Sequence, residues 1–212
     1  MKNIVMAIDN NMHPLELVDN ATRYGDKIHS IKINSLYHFL LSNHNNALDY
    51  YNANTDVPLF ADLKIYDTPN TVANTIHNLH SAIKYCTVVY NDNLESIIAA
   101  SEAASVKGIM LFIVWKLTSS LPSKPTYSLR NEFIDWCFEL VGATNRYNTG
   151  VVSPYYMLPY VKQFRFKHTL TPGVYIDEPN KGQSATISLD ALSAYVPDLI
   201  VLGRSFREYA IT

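Results

Sequence analysis

The strongest constraint on the fold is an alternation that runs the length of the chain. Short runs rich in β-branched and aromatic residues recur, separated by stretches whose apolar residues have helical spacing. Eight such runs are Ile4–Ile8, 28–33, 57–63, 85–90, 108–115, 150–152, 167–170 and Leu199–Leu202. Between them, Pro14-Leu15-Glu16-Leu17-Val18 opens one helix, and Asn70-Thr71-Val72 leads into Ile76, Leu79 and Ile83 at three- and four-residue steps. Further helical stripes are Leu94/Ile97/Ile98, Phe133/Trp136/Cys137/Leu140 and Leu189/Leu192/Val196. Strands that alternate with helices pair in parallel through right-handed crossovers. Eight of them in 212 residues fit an α/β chain folded as a single (β/α)8 TIM barrel, a fold of about 250 residues. A doubly wound open sheet competes, because periodicity does not show whether a sheet closes. The first strand, however, is not followed by a GxGxxG fingerprint. With no repeat or Pro/Gly/Ser linker, residues 1–212 read as one domain.

Charge narrows the partners. A net charge of −2 and no long basic block give no reason to expect nucleic acid, while a compact site for one small phosphate needs only an arginine and a few backbone amides. Cys86 and Cys137 stand far apart without metal spacing, which reads as reduced thiols in a cytoplasmic protein. The apolar start, Ile4 to Ile8, is too short for a signal segment, and no later stretch approaches a membrane span. Seven histidines raise the question of metal, but none forms a zinc-hydrolase pattern. His77 and His80 read as surface or packing residues, and no metal site is expected. Tyr155-Tyr156 follows the sixth run and reads as pocket lining or, by preference, barrel packing.

The third run ends in Phe60-Ala61-Asp62-Leu63-Lys64-Ile65-Tyr66-Asp67. Strand alternation puts Asp62 and Lys64 on one face and Leu63 on the other. In a closed barrel that face points inward at the C-terminal rim, where active sites assemble. Asp67 begins the loop, and Thr68-Pro69-Asn70-Thr71 stops the strand and offers N-capping side chains. Carboxylates on either side of an ammonium favour its charged form, so such a lysine serves as an acid or a fixed positive charge. Taken alone, an Asp-x-Lys-x-x-Asp cluster also reads as a solvated ion network.

Asp62-Leu63-Lys64-Ile65-Tyr66-Asp67-Thr68-Pro69-Asn70-Thr71 resembles the signature of orotidine 5'-monophosphate decarboxylases. Other segments resemble that family in its own order. They are Ala7-Ile8-Asp9, Ile31-Lys32-Ile33, Leu117-Thr118-Ser119-Ser120, Thr171-Pro172-Gly173-Val174, Gly182-Gln183 and Val201-Leu202-Gly203-Arg204. The resemblance runs from Ile4 to about Phe206 and thins in two places. Val88-Val89-Tyr90-Asn91-Asp92-Asn93 replaces a histidine or small-residue segment. Ser184-Ala185 stands where relatives place an aromatic residue or arginine.

The resemblance implies a cofactor-free decarboxylation of orotidine 5'-monophosphate to uridine 5'-monophosphate, in pyrimidine synthesis. Lys64 would stabilise and protonate C6, with Asp62 beside the substrate carboxylate. Asp67 would reach the ribose from a partner subunit of a homodimer whose sites lie at the interface. Asp9 and Lys32 would bind ribose hydroxyls and extend the catalytic charge network, Thr71 would add a sugar contact, and Thr118 would bond the pyrimidine with Ser119 beside it. Gln183, Arg204 and the backbone near Gly203 would hold the phosphate. A magnesium-dependent sugar-phosphate decarboxylase or aldolase of the same superfamily stays open, although such relatives carry an acid on the second strand and residues 28–37 hold Lys32 and no acid. A non-catalytic nucleotide-binding barrel is the remaining alternative.

Overall fold

The computed structural model describes residues 3–90, 92–145, 147–178, 184–204 and 206. Eight parallel strands close into a barrel: β1 (Ile4–Ile8), β2 (Ser30–Ile33), β3 (Leu59–Ile65), β4 (Ile83–Val89), β5 (Met110–Val114), β6 (Thr149–Val152), β7 (Thr169–Thr171) and, after a small separate pair, β10 (Leu199–Leu202). Closure comes from β1, which pairs with β2 on one side (Ala7 opposite Lys32) and β10 on the other (Val5 opposite Val201). The chain is a (β/α)8 TIM barrel, and the open sheet is set aside. Each expected run overlaps one barrel strand, and the ends differ by up to a few residues.

The helices are α1 (Pro14–Tyr24), α2 (Ser35–Asn43), α3 (Ala47–Asn54), α4 (Pro69–His77), α5 (Leu94–Lys107), α6 (Tyr127–Thr144), α7 (Leu158–Val161) and α8 (Leu189–Leu192). Proline stands in the first turn of α1 and of α4, where its missing N–H costs nothing. Asn93 and Thr126 cap α5 and α6 by accepting from Glu95 N and Leu129 N. Thr68, by contrast, makes no side-chain cap on α4. Its hydroxyl meets that of Thr71 and its N–H goes to the Asp67 carboxylate at 2.7 Å. The expected stripe Leu189/Leu192/Val196 is cut short: α8 ends at Leu192, and Val196 is exposed with φ +47°.

Two features lack a signal in the spacing. One is the pair α2 and α3 between β2 and β3. The other is a two-stranded parallel sheet of β8 (Val174–Tyr175) and β9 (Ile187–Ser188), which brackets the loop after β7. No helix among the described residues is long and apolar enough to cross a membrane.

The barrel interior is a packed floor. Val5, Phe60, Met110, Phe112, Leu170, Leu199 and Val201 form one buried apolar cluster. Phe60 and Phe112 stack at 5.4 Å, and Tyr85 tilts against both. Gly150 makes room for this stack: a Cβ there would lie 2.6 Å from the Phe112 ring and 2.6 Å from the His168 carbonyl oxygen. The charged inward residues Lys32, Asp62 and Lys64 sit above this floor, at the C-terminal mouth of the barrel.

Candidate active site

The charged centre depends on an irregularity in β3. Along the β3–β4 ladder Ala61 pairs with Cys86 and Ile65 with Val88, so four steps on β3 match two on β4. Such a bulge leaves residues without ladder partners and re-aims their side chains. Lys64 sits inside it with φ +50°, a left-handed conformation that non-glycine residues adopt only when their surroundings enforce it. Alternation therefore predicts the right outcome, Asp62 and Lys64 together, but their meeting rests on a kink as well as on a regular pleat. Leu63 packs outward against the barrel–helix core, as expected.

The Asp62 side chain lies at the centre of the cluster. Its Oδ2 accepts from Lys32 Nζ at 2.7 Å and Lys64 Nζ at 2.8 Å. Its Oδ1 accepts from the Thr87 hydroxyl at 2.9 Å, and Thr87 Oγ1 in turn accepts from the Lys64 backbone N–H at 2.9 Å. Burial by itself raises the carboxyl pKa. The charges and hydrogen bonds of Lys32 and Lys64 outweigh it and hold Asp62 below the ordinary carboxylate value. Lys32 is mostly buried, whereas Lys64 is about one-third exposed and faces the opening.

Above this centre lies a cavity of about 280 Å³ at the C-terminal mouth of the barrel. Asp9, Lys32, Asp62, Lys64, Thr118, Gly203 and Arg204 all line it, so residues drawn from β1, β2, β3, the β5 loop and the end of β10 converge. Asp67, Thr71 and Ser119 do not line it. Asp67 and Thr71 stand exposed on the rim at the start of α4, and Ser119 is exposed in the turn Thr118–Ser120. Gln183, with Gly182, lies outside the described residues.

Three polar lining residues were not anticipated: Asn34, Thr87 and Lys116. Asn34 follows Lys32 by two positions and Lys116 follows Val114 by two, so extending the inward parity one step past β2 and β5 finds both. Lys116 donates to Glu132 at 2.6 Å, with its ammonium 4.4 Å from the Trp115 ring centroid. A threonine in a strand is ordinary, and Thr87 carries no such signal. Tyr155 and Tyr156 do not line the cavity. Their hydroxyls donate to the Ser123 and Pro122 carbonyls and tie the β6 loop to the β5 loop. The Ser184 hydroxyl donates to the Leu121 carbonyl and lies near that of Thr118, which joins the segment before β9 to the same β5 loop.

Among the described residues no group of three or more His, Cys, Asp or Glu is placed to hold a metal ion. His80 instead meets Asp49 at 3.1 Å on the outer surface. A cavity floored by two ammonium groups sharing one carboxylate, with an arginine at its rim, is built to receive an anion and to stabilise negative charge beside Lys64.

A comparison with curated proteins finds no match. The crystal structure of orotidine 5'-monophosphate decarboxylase from Methanocaldococcus jannaschii, complexed with the inhibitor BMP, superposes with a TM-score of 0.69 at 13% identity. That alignment covers 99% of this chain and 95% of the other, which shows a common fold. The sequence model of the orotidine 5'-phosphate decarboxylase / HUMPS family matches residues 2–209. By that match over nearly its whole length, the chain belongs to the orotidine 5'-phosphate decarboxylase / HUMPS family.

Proposed function

We propose that the chain decarboxylates orotidine 5'-monophosphate to uridine 5'-monophosphate, a step of pyrimidine synthesis, without a metal or organic cofactor. The observation that carries this reading is the shared carboxylate: Lys32 and Lys64 both donate to Asp62 Oδ2 at the floor of a cavity whose rim holds Arg204. As the bond from C6 to the carboxylate carbon breaks, carbon dioxide leaves and the electron pair stays on C6. The ammonium of Lys64 stabilises that pair and then delivers its proton to C6. Asp62, fixed as an anion by its two lysines, sits beside the departing carboxylate.

Asp9 and Lys32 serve the ribose from the cavity and Thr71 from the rim beside Asp67, Thr118 the pyrimidine edge with Ser119 beside it, and Arg204 with Gln183 and the Gly203 backbone the phosphate. Phosphate binding far from C6 supplies energy that the reacting centre itself need not provide. Asp67 lies on the rim outside its own cavity, which suits a contact made across the interface of a homodimer. The substrate is a mononucleotide, and neither nucleic acid nor membrane is a partner. Burial pushes the Cys86 thiol up to about 12, which accords with an inert cysteine in a cytoplasmic enzyme.

Lys32 also separates this reading from the magnesium-dependent branch, because it puts a cation where those relatives use an acid. The test follows orotidine 5'-monophosphate absorbance with purified protein in EDTA, beside Lys64→Ala. Turnover that persists in EDTA and disappears with Lys64 is expected. Turnover restored only by magnesium moves the chain to the other branch, and no lysine-dependent turnover leaves a binding protein.

A further inference from the structure

We infer that Thr87 is a positioning residue of this site, whose hydroxyl fixes both the Asp62 carboxylate and the Lys64 backbone in the geometry that decarboxylation uses. The inference rests on the decarboxylase reading for its kinetic consequence and on the structure alone for its geometry.

Thr87 is 1% exposed and points inward from β4, between the aromatic floor and the cavity that it lines. A hydroxyl has one proton to donate. The Lys64 backbone N–H can only donate, so Thr87 Oγ1 accepts there at 2.9 Å, and its own proton goes to Asp62 Oδ1 at 2.9 Å. The direction of both bonds is therefore fixed. Within the bulge Lys64 lacks a ladder carbonyl, and the Thr87 oxygen takes that place, holding the left-handed turn at φ +50°. At the other end, Oδ1 is held by Thr87 while Oδ2 is held by Lys32 and Lys64, so the carboxylate plane cannot rotate. One buried hydroxyl thus couples the backbone of the proton donor to the orientation of its anionic neighbour.

Three variants separate this role from packing. Thr87→Val keeps the shape without the hydroxyl, Thr87→Ala removes shape and hydroxyl, and Thr87→Ser keeps only the hydroxyl. With orotidine 5'-monophosphate, Val and Ala should lower kcat roughly ten- to a hundredfold, the factor expected for one charge-assisted hydrogen bond. KM should stay within about threefold, and Ser should retain most of the activity. The Asp62 carboxyl carbon, followed by 13C NMR and assigned with Asp62→Asn, gives a readout independent of turnover. Loss of a donor to the carboxylate raises its titration midpoint, so Val and Ala should shift it to higher pH and Ser should restore it. Lys32 and Lys64 contact this carboxylate directly, while Asp9, Lys116 and Arg204 face it across the cavity; all five are unchanged in every variant. If Val does not fold, the Ala–Ser pair still isolates the hydroxyl.

Equal activity and equal Asp62 titration in Ser and Ala would overturn the inference. If the wild-type chain does not turn over the substrate, the decarboxylase reading fails, while the titration still decides whether Thr87 clamps Asp62.

Discussion

At the residue scale, the Asp62 carboxylate is a single anion shared by two ammonium groups, Lys32 at 2.7 Å and Lys64 at 2.8 Å. Removing the Lys64 charge leaves the fold its second lysine but, on the proposed mechanism, takes away the proton donor to C6. Lys64→Ala is expected to lower kcat at least about a hundredfold while the protein stays folded, read by absorbance and circular dichroism together. Asp62→Asn does the opposite damage. It strands two cations against each other in a largely buried place, and a loss of about 3 kcal/mol in urea unfolding at neutral pH is expected. The pH dependence follows from the lowered Asp62 pKa. A carboxyl whose folded pKa is depressed contributes stability above its unfolded value, near pH 4, and loses it as pH falls through the folded value. Wild-type stability should therefore drop across that acid window by more than the stability of Asp62→Asn drops, and parallel curves would contradict the assignment. Asp62 and Lys64 were legible in the sequence because a strand has period two. Thr87 was not, because its role arises from a neighbouring strand and from a bulge that no local pattern announces.

At the element scale, the barrel strands were legible because each is a short β-rich run between polar turns. Their ends, the helices α2 and α3, and the sheet of β8 and β9 were not. Strands of two residues are too short to show a period, and 35–54 mixes Tyr, Asn and Leu without a clean apolar stripe. The interior of the barrel adds a constraint visible only in three dimensions. Gly150 on β6 faces Phe112 on β5, and the space a side chain would take is already filled by that ring and by the His168 carbonyl. Gly150→Ala is expected to cost about 1–3 kcal/mol through overpacking, measured by urea unfolding. Because the Phe60–Phe112 stack lies beneath the charged centre, the same variant should also lower kcat more than it raises KM. Wild-type stability in Gly150→Ala would mean that the floor is loosely packed.

At the scale of the whole molecule, closure of the sheet was beyond what periodicity could show, and it emerges from β1 pairing with both β2 and β10. Closure brings Asp9, Lys64, Thr118 and Arg204 to one mouth although they are far apart in sequence. It does not bring Asp67 there. That carboxylate stands outside the cavity of its own chain, beside the start of α4 and the exposed Tyr66, and the proposed homodimer gives it a site to complete. Subunit exchange tests this directly. In a site built from Lys64 of one subunit and Asp67 of the other, Lys64→Ala and Asp67→Ala homodimers are each defective at both sites. A mixed dimer carries both substitutions in one site and neither in the other, so half of its sites are intact. Random exchange of equal amounts makes half of the dimers mixed, and activity should rise to about a quarter of the wild-type value. If Asp67 served its own chain, every site in the mixture would keep one defect and no recovery would occur. Sedimentation of the same samples supplies the control: recovery must track the dimer and vanish on dilution to monomer.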